Sequence, residues 1–369
     1  MRAIAITPGV AGARLIDRPE PILTAPDEIK LRVLRVGICG TDREEISGGR
    51  AQAPAGAAEL VIGHEMLGQV TEAGAAVRRV RVGDHAVFTV RRGCSACANC
   101  ALGRADMCQS GAYQERGIQA LDGYQAEFVL DRESNVIRVP PELEPVGVLM
   151  EPLSIVEKAI DEALLLQRRR DPVAAVTPDW LFGHRCLVAG LGPVGLLAGL
   201  VLRLRGGEVF GTDVVPADNP RPQWLTRLGG QYVNGRDLSP AQIAQKFGGM
   251  DLILDASGVA SVEFNLLDAL AFNGVYVLTG IPGGDRPLQI GGAQLIRQIV
   301  LRNQIMCGSV NAARGHFQMA ADDLAIAHLR WPGLVAGLIT HRHTPAAFVA
   351  AQAPPPGAIK EVVEWSASA

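Results

Sequence analysis

Cys94, Cys97, Cys100 and Cys108 carry the strongest chemical signal in the chain. The spacing C-x2-C-x2-C-x7-C lets four thiolates of one loop fold around a single tetrahedral cation. An all-thiolate set of four leaves no position open to solvent or substrate, which is the chemistry of a structural zinc. Two other readings are weaker. Disulfides need an oxidising compartment. A zinc module that grips nucleic acid needs basic surface, whereas Ala96, Ala98, Ala101 and Gly103 lie among these cysteines, with Arg91, Arg92 and Arg104 nearby. A second constellation is dispersed: Cys39, His64, Glu65 and Glu151 are residue types that can ligate a metal. Spacing alone does not bring them together. Taken singly, Cys39 reads as a small buried hydrophobe and His64 as a core or surface histidine. Cys186 and Cys307 fall in expected strands and read as inert core.

A third signal lies in R-C-L-V-A-G-L-G-P-V-G-L-L, residues 185–197. A short apolar strand runs into Gly190-x-Gly192-x-x-Gly195, followed by a helical pattern through Leu204, a second strand at 208–212, and Asp213. Glycine triplets also serve ordinary turns, but strand, turn, helix, strand and acid in this order make a dinucleotide-binding unit. Gly190 permits the tight turn, Gly192 lets backbone approach a pyrophosphate, and Gly195 lets the helix lie on the strand. The helix N-terminus, with Pro193 and Val194 in its first turn, offers free N–H groups to phosphate. Asp213 accepts hydrogen bonds from ribose hydroxyls. The two residues after it, Val214 and Val215, cannot grip a 2′-phosphate, and the nearest arginine is Arg221, beyond Pro216 and Pro220. NAD is therefore expected to be preferred over NADP.

A chain of 369 residues suggests about two or three domains. With Lys+Arg 35 against Asp+Glu 38 and a net charge of −3, it has no basic field for nucleic acid. The first residues, Met1 to Ile6, are too short an apolar run for an export signal. The longest uncharged run, Cys186 to Leu202, opens on a glycine turn and reads as strand plus helix, not as a membrane span. A reducing, cytoplasmic setting is expected, and no membrane partner.

The elements that must position these residues follow from periodicity. Glu28 to Val36 alternates Ile29, Leu31 and Val33 with Lys30 and Arg32, the pattern of a half-buried strand. Many short strands with glycine turns predict a compact β-rich first domain. Residues 151–166 read as a helix, and the charged, proline-bearing stretch 167–182 as a linker. Ser239-Pro240 caps a helix. Strands at 186–189, 208–212, near Tyr232, at 251–256, 275–279 and 305–310 make about six, as a doubly wound parallel sheet requires. Strands at 336–340 and 359–363 are expected to return to the first domain. The boundaries expected are 1–184, 185–310 and 311–369.

These residues together resemble a family. Gly37-Ile38-Cys39-Gly40-Thr41-Asp42, Gly63-His64-Glu65-x-x-Gly68, Gly83-Asp84-x-x-Val87, the four-cysteine lobe and the glycine turn are similar to the zinc-dependent medium-chain dehydrogenases over nearly the whole chain. Glu151-Pro152-Leu153-Ser154, Leu202 to Gly206, and Gly308-Ser309-Val310-Asn311 before His316-Phe317 point within that family to glucose (aldose) 1-dehydrogenases. The resemblance implies an α/β protein: a Rossmann domain plus a β-rich, GroES-like catalytic domain. It implies a catalytic zinc on Cys39 and His64, completed from Glu65, Glu151 and water, and a structural zinc on Cys94, Cys97, Cys100 and Cys108. Thr41 would pass the proton, and Glu115, Glu151 and Asn311 would meet the sugar. The implied reaction is hydride transfer from C1 of an aldose such as D-glucose to NAD(P), giving an aldonolactone. A homodimer or homotetramer is implied as well.

The sequence departs from the family where some members have Asn in place of Val90, and where some have two arginines in place of Val214 and Val215. Two alternatives stay open. One is a zinc-dependent dehydrogenase of a polyol or other secondary alcohol. The other is a non-catalytic zinc protein that binds nicotinamide nucleotide.

Overall fold

The computed structural model describes residues 1–177, 179–283, 287–351 and 353–366. Contacts divide the chain into two units, 1–154 with 311–369, and 155–310. The sequence places the first division at 184/185, whereas residues 155–184 group with the second unit.

Strand β1 (Glu28–Ile38) is the centre of the first unit. It pairs antiparallel with β2 (Glu65–Ala73), and Phe128–Arg132 also pairs with it. The half-buried strand expected here is buried along nearly its whole length, including positions on both faces. Its cations are therefore paired. Lys30 Nζ lies 2.8 Å from Glu72 and 2.5 Å from Glu20, and Arg35 Nη2 lies 2.7 Å from Glu144. After β1 the chain turns at Cys39 into α1 (Gly40–Ile46). Cys39 is the N-cap, and its backbone N–H donates to the Asp42 carboxylate at 2.7 Å, satisfying one orphan donor of the helix start. β3 (Arg91–Arg92) and β4 (Gln114–Arg116) pair antiparallel, and the four-cysteine loop lies between them in the chain. Ile4, Ile29, Leu31, Met66, Phe88 and Tyr124 are in the buried core of this unit.

Helix α2 (Met150–Arg170) leads into the second unit. The expected linker is thus overturned over much of its length: the helix runs to Arg170, and a short helix, Pro172–Val176, follows. Its polar C-terminal turn is held by partners of its own. Gln167 Nε2 donates to the Asn273 carbonyl at 2.9 Å, and Arg170 reaches the Asn273 and Asn303 carbonyls. Pro178, within the expected linker, lies outside the described residues.

The second unit then alternates strand and helix: β5 (Arg185–Ala189), α3 (Pro193–Leu204), β6 (Glu208–Asp213), a helix at Pro220–Arg227, β7 (Gln231–Asn234), α4 (Pro240–Phe247), β8 (Met250–Asp255), a short helix at Ala260–Asn265, β9 (Leu270–Leu278), α5 (Gly292–Leu301) and β10 (Ile305–Gly308). Among the described residues the sheet order is β7-β6-β5-β8-β9-β10, all parallel. That is the doubly wound order, whose reversal between β5 and β8 opens a crevice at the carboxyl ends of the strands. Ala189 lies opposite Thr212 on one side and Asp255 on the other, so the three strand ends meet there. No helix among the described residues is long and apolar enough to cross a membrane.

The chain returns to the first unit through helix Arg314–Arg330 and strands β11 (Ile339–His343) and β12 (Lys360–Glu364). The strand expected at 336–340 begins later, because Pro332 opens a short helix that runs to Ala336. β12 pairs antiparallel with β1, Glu361 opposite Ile38 and Val362 opposite Gly37.

Candidate functional site

Three elements of the first unit converge on one buried cluster. Cys39 comes from the start of α1, His64 and Glu65 from the start of β2, and Lys360 from the start of β12. Cys39, His64 and Glu65 offer ligand atoms that all lie within 4.8 Å of one another. Gly37, opposite Glu65 in the β1–β2 register, must lack a side chain, since a Cβ there would sit 2.1 Å from Glu65 Oε2. Lys360 Nζ pairs with Glu65 and donates to the Ile38 carbonyl at 2.9 Å. Glu151, at the start of α2, is buried near them, though outside the group that meets that distance. Thr41 stands in the first turn of α1, two residues after Cys39.

The electrostatics of this cluster fit a cation. Burial pushes the Glu151 carboxyl up to about 8, against the pull of His64. Burial also raises Asp42, and burial beside Asp42 pushes Glu45 up to about 9. Burial opposes charging His64, but Asp42, Cys39 and Glu151 outweigh it and hold the imidazole well above its usual range. His64 Nδ1 is buried with no hydrogen-bond partner among the described residues, 3.8 Å from Asp42. An excess of buried acids around one histidine and one lysine calls for positive charge, and the Cys/His/Glu donors suit zinc.

Cys94, Cys97, Cys100 and Cys108 form the other group whose ligand atoms lie within 4.8 Å of one another. The Ser110 hydroxyl and the amides of Ala96 and Cys97 bring the Cys94 thiol down to about 5. Burial and the neighbouring Cys97 and Cys108 thiols push Cys100 up to about 12. Hydrogen bonds from Ser110 lower Cys108 as well, but four thiolates this close coexist only around a cation, so this donor set too fits zinc.

In the second unit, a cavity of about 590 Å³ lies at the carboxyl ends of β5, β6 and β8. Gly190, Gly192 and Asp213 line it, with Ser257, Arg221 and Ser239. Pro193 and Val194 open α3, and Gly195 is packed beneath the turn. A Cβ at Gly195 would stand 1.8 Å from the Gly190 carbonyl oxygen. Gly195→Ala must therefore push α3 off the turn, at an overpacking cost of about 1–3 kcal/mol. It is expected to weaken dinucleotide binding about tenfold or more, read by fluorescence titration with reduced dinucleotide. Affinity within twofold of the parent would show that the turn yields without loss.

Asp213 faces this cavity while holding the turn. Its carboxylate accepts from the Leu191 N–H at 2.9 Å and the Val214 N–H at 2.6 Å. Arg221 Nη1 lies 4.0 Å from it. Sequence reasoning missed Arg236, whose Nε donates to the Val214 carbonyl at 3.0 Å. Back in the first unit, Asn311 Nδ2 donates to Glu115 at 2.7 Å, so these two residues, remote in sequence, meet. Lys360 and the buried acids Asp42 and Glu45 were missed as well. A lysine beside Glu361 within the expected strand 359–363 was the available signal for the first.

The model described as "Glucose dehydrogenase C-terminus" matches residues 144–365, and "Alcohol dehydrogenase GroES-like domain" matches residues 25–141. A glucose 1-dehydrogenase of Methanocella arvoryzae is 40% identical over 346 residues, covering 93% of each chain. One from Thermoproteus tenax is 37% identical, covering 92% of each. Haloferax mediterranei glucose dehydrogenase, solved in complex with NADP, Zn and gluconolactone, superposes over 100% of both chains with a TM-score of 0.89 and 31% identity. The chain belongs to the zinc-dependent medium-chain dehydrogenases, in their glucose dehydrogenase branch.

Proposed function

We propose that this chain oxidises an aldose such as D-glucose at C1, passing hydride to NAD(P) and releasing the aldonolactone. The observation that carries the reading is the convergence of Cys39, His64 and Glu65 in one buried acidic cluster of a chain 40% identical to a glucose 1-dehydrogenase. Bound there, zinc supplies Lewis acidity toward a hydroxyl oxygen, and the nicotinamide is the hydride acceptor. The chain's own residues do the rest. Cys39 and His64 hold the metal, with Glu65 or Glu151 completing the set. Glu65 is engaged by Lys360, which leaves Glu151 as the exchangeable partner. Thr41 passes the proton of the anomeric hydroxyl on, accepting it as it releases its own hydroxyl proton toward solvent, while Glu115 and Asn311 orient the other hydroxyls. Gly190, Gly192 and the N-terminus of α3 receive the pyrophosphate, and Asp213 the ribose. Cys94, Cys97, Cys100 and Cys108 hold the second zinc, which shapes their loop.

None of the seven cysteines is in a disulfide, which supports a reducing, cytoplasmic setting. Association into a homodimer or homotetramer is part of the same reading. β10 is the last strand of its sheet, and Ile296, Val300 and Leu301 of α5 are exposed beside it in sequence. An open strand edge and an apolar surface of this kind are natural contacts for a second copy.

A panel of aldoses, polyols and simple alcohols with NAD and with NADP tests the reading, followed through the absorbance of reduced nicotinamide. Aldoses are expected to give the highest kcat/KM. NAD is expected to lead NADP by about tenfold, or ~1.4 kcal/mol. A 2′-phosphate would meet the Asp213 carboxylate, but Arg221 and Arg236 soften that repulsion, so a bias and not an exclusion follows. Turnover confined to polyols would overturn the substrate. A clear NADP lead would mean that the two arginines grip the phosphate and that Asp213 turns away.

A further inference from the structure

We infer that Arg91 is a positioning residue for the substrate. It saturates one oxygen of Glu115, so that the other is presented to a sugar hydroxyl. The inference rests on the reading of Glu115 as a sugar contact given above.

Arg91 on β3 and Glu115 on β4 are direct cross-strand partners. The fork of Arg91 places Nε at 3.0 Å and Nη2 at 2.9 Å from the same oxygen, Glu115 Oε1. Asn311 Nδ2 reaches that oxygen too, at 2.7 Å. Three donors on one carboxylate oxygen already exceed its two lone pairs. The acceptor capacity of Glu115 therefore lies at Oε2, which makes no hydrogen bond among the described residues. The Glu115 side chain keeps 12% of its exposure. A carboxylate held in this way offers one oxygen, at a fixed place, to a hydroxyl donor, which is how a site tells one hydroxyl from its epimer.

Arg91 is itself fixed on two further sides. Its Nη1 donates to the Asp106 carbonyl at 2.9 Å, and its guanidinium stacks on the Tyr113 ring at 3.8 Å. Asp106 sits in the single turn that leads into Cys108, and its buried carboxylate is clamped by Arg104 at 2.9 and 2.8 Å. The four-cysteine loop thereby supports the substrate carboxylate through one guanidinium. Lysine cannot replace it, since an ammonium is a point charge without a planar fork. Neighbouring Arg92 has different work, pairing with Asp131 and donating to the Thr89 carbonyl at 2.8 Å.

The test uses the zinc-loaded full chain and three variants, Arg91→Lys, Arg91→Gln and Glu115→Gln, with the second covering a failure of the first to fold. Each is assayed at saturating dinucleotide with the best aldose and with its mono-deoxy analogues, alongside melting temperature and zinc content. Arg91→Lys is expected to raise the sugar KM about tenfold, since hydrogen bonds to charged groups carry that much. It should leave kcat within about threefold and the dinucleotide KM unmoved. For one deoxy analogue the penalty should vanish, and the same analogue should erase the penalty of Glu115→Gln. A structural role alone would move all sugars alike. An equal penalty on every analogue, or a loss confined to kcat or to zinc content, overturns the inference. Parent enzyme that turns over no aldose overturns the functional reading and this inference with it, whereas a flat deoxy series on active parent overturns this one alone.

Discussion

Cys39→Ala is expected to lower kcat about a thousandfold or more with the fold left in place, because losing Lewis-acid help costs several kcal/mol of barrier. The fold survives for a local reason. The start of α1 is capped by the Asp42 carboxylate on the backbone N–H of Cys39, a bond that alanine keeps. What goes is the thiolate beside His64 and Glu65. Cys97→Ala is the contrasting arm. It opens the four-thiolate set in the loop between β3 and β4, where metal binding contributes folding free energy directly. The parent should hold two zinc ions per chain and each variant one, with Cys39→Ala losing turnover and Cys97→Ala chiefly losing melting temperature. Near-normal turnover by Cys39→Ala would remove the catalytic metal from the mechanism. A parent with one zinc per chain would favour a silent nucleotide-binding protein.

The nucleotide unit was legible in the sequence because its signals are local. Strand, glycine turn, helix and acid lie between residues 185 and 213, and each constraint there acts through backbone: the Gly195 contact with the Gly190 carbonyl is fixed by chain geometry alone. The four-cysteine loop is local in the same sense. The dispersed site was not legible from spacing. Cys39 and His64 meet because β2 pairs with β1, and Lys360 joins them only because β12, more than 300 residues after β1, pairs with it too. Resemblance supplied the metal ligands but not Lys360, which binds Glu65 and so bears on which carboxylate is free.

Alternation misled where charge is buried. Lys30 and Arg35 break the apolar pattern of β1 and look like solvent-facing residues, yet both are buried, satisfied by acids from remote segments. Periodicity reports which side chains are apolar, and it cannot report that a cation has a partner inside. The same blindness hid Arg91. Beside a zinc loop it read as stray basic surface, and only the β3–β4 register and the return of Asn311 give its fork a target. The charged stretch 167–182 read as a linker for a related reason. Arginines at a helix end suit both a solvated linker and the negative end of the helix dipole, and carbonyls at Asn273 and Asn303 decide for the helix.

Thr41→Val is expected to cut kcat about a hundredfold or more near neutral pH, the usual worth of a positioned proton acceptor. Valine keeps the branched shape of threonine and loses only the hydroxyl, so packing at the start of α1 is conserved. Cys39 as N-cap and Thr41 in the first helical turn are joined by one residue, Gly40, already in the helix. The hydroxyl is therefore carried at a fixed offset from a ligand of the metal, which is what proton transfer in the transition state needs. Other acids of α1 are poor substitutes: Asp42 is buried with one oxygen on the Cys39 N–H, Glu44 is exposed, and burial pushes Glu45 up to about 9. The sign of the pH dependence follows. A variant without the relay must lose the substrate proton to solvent, which is easier as hydroxide rises, so the gap between Thr41→Val and parent should narrow from pH 7 to pH 10. A constant ratio across that range would assign Thr41 to ground-state packing, and an unchanged rate at neutral pH would leave the proton to another group altogether.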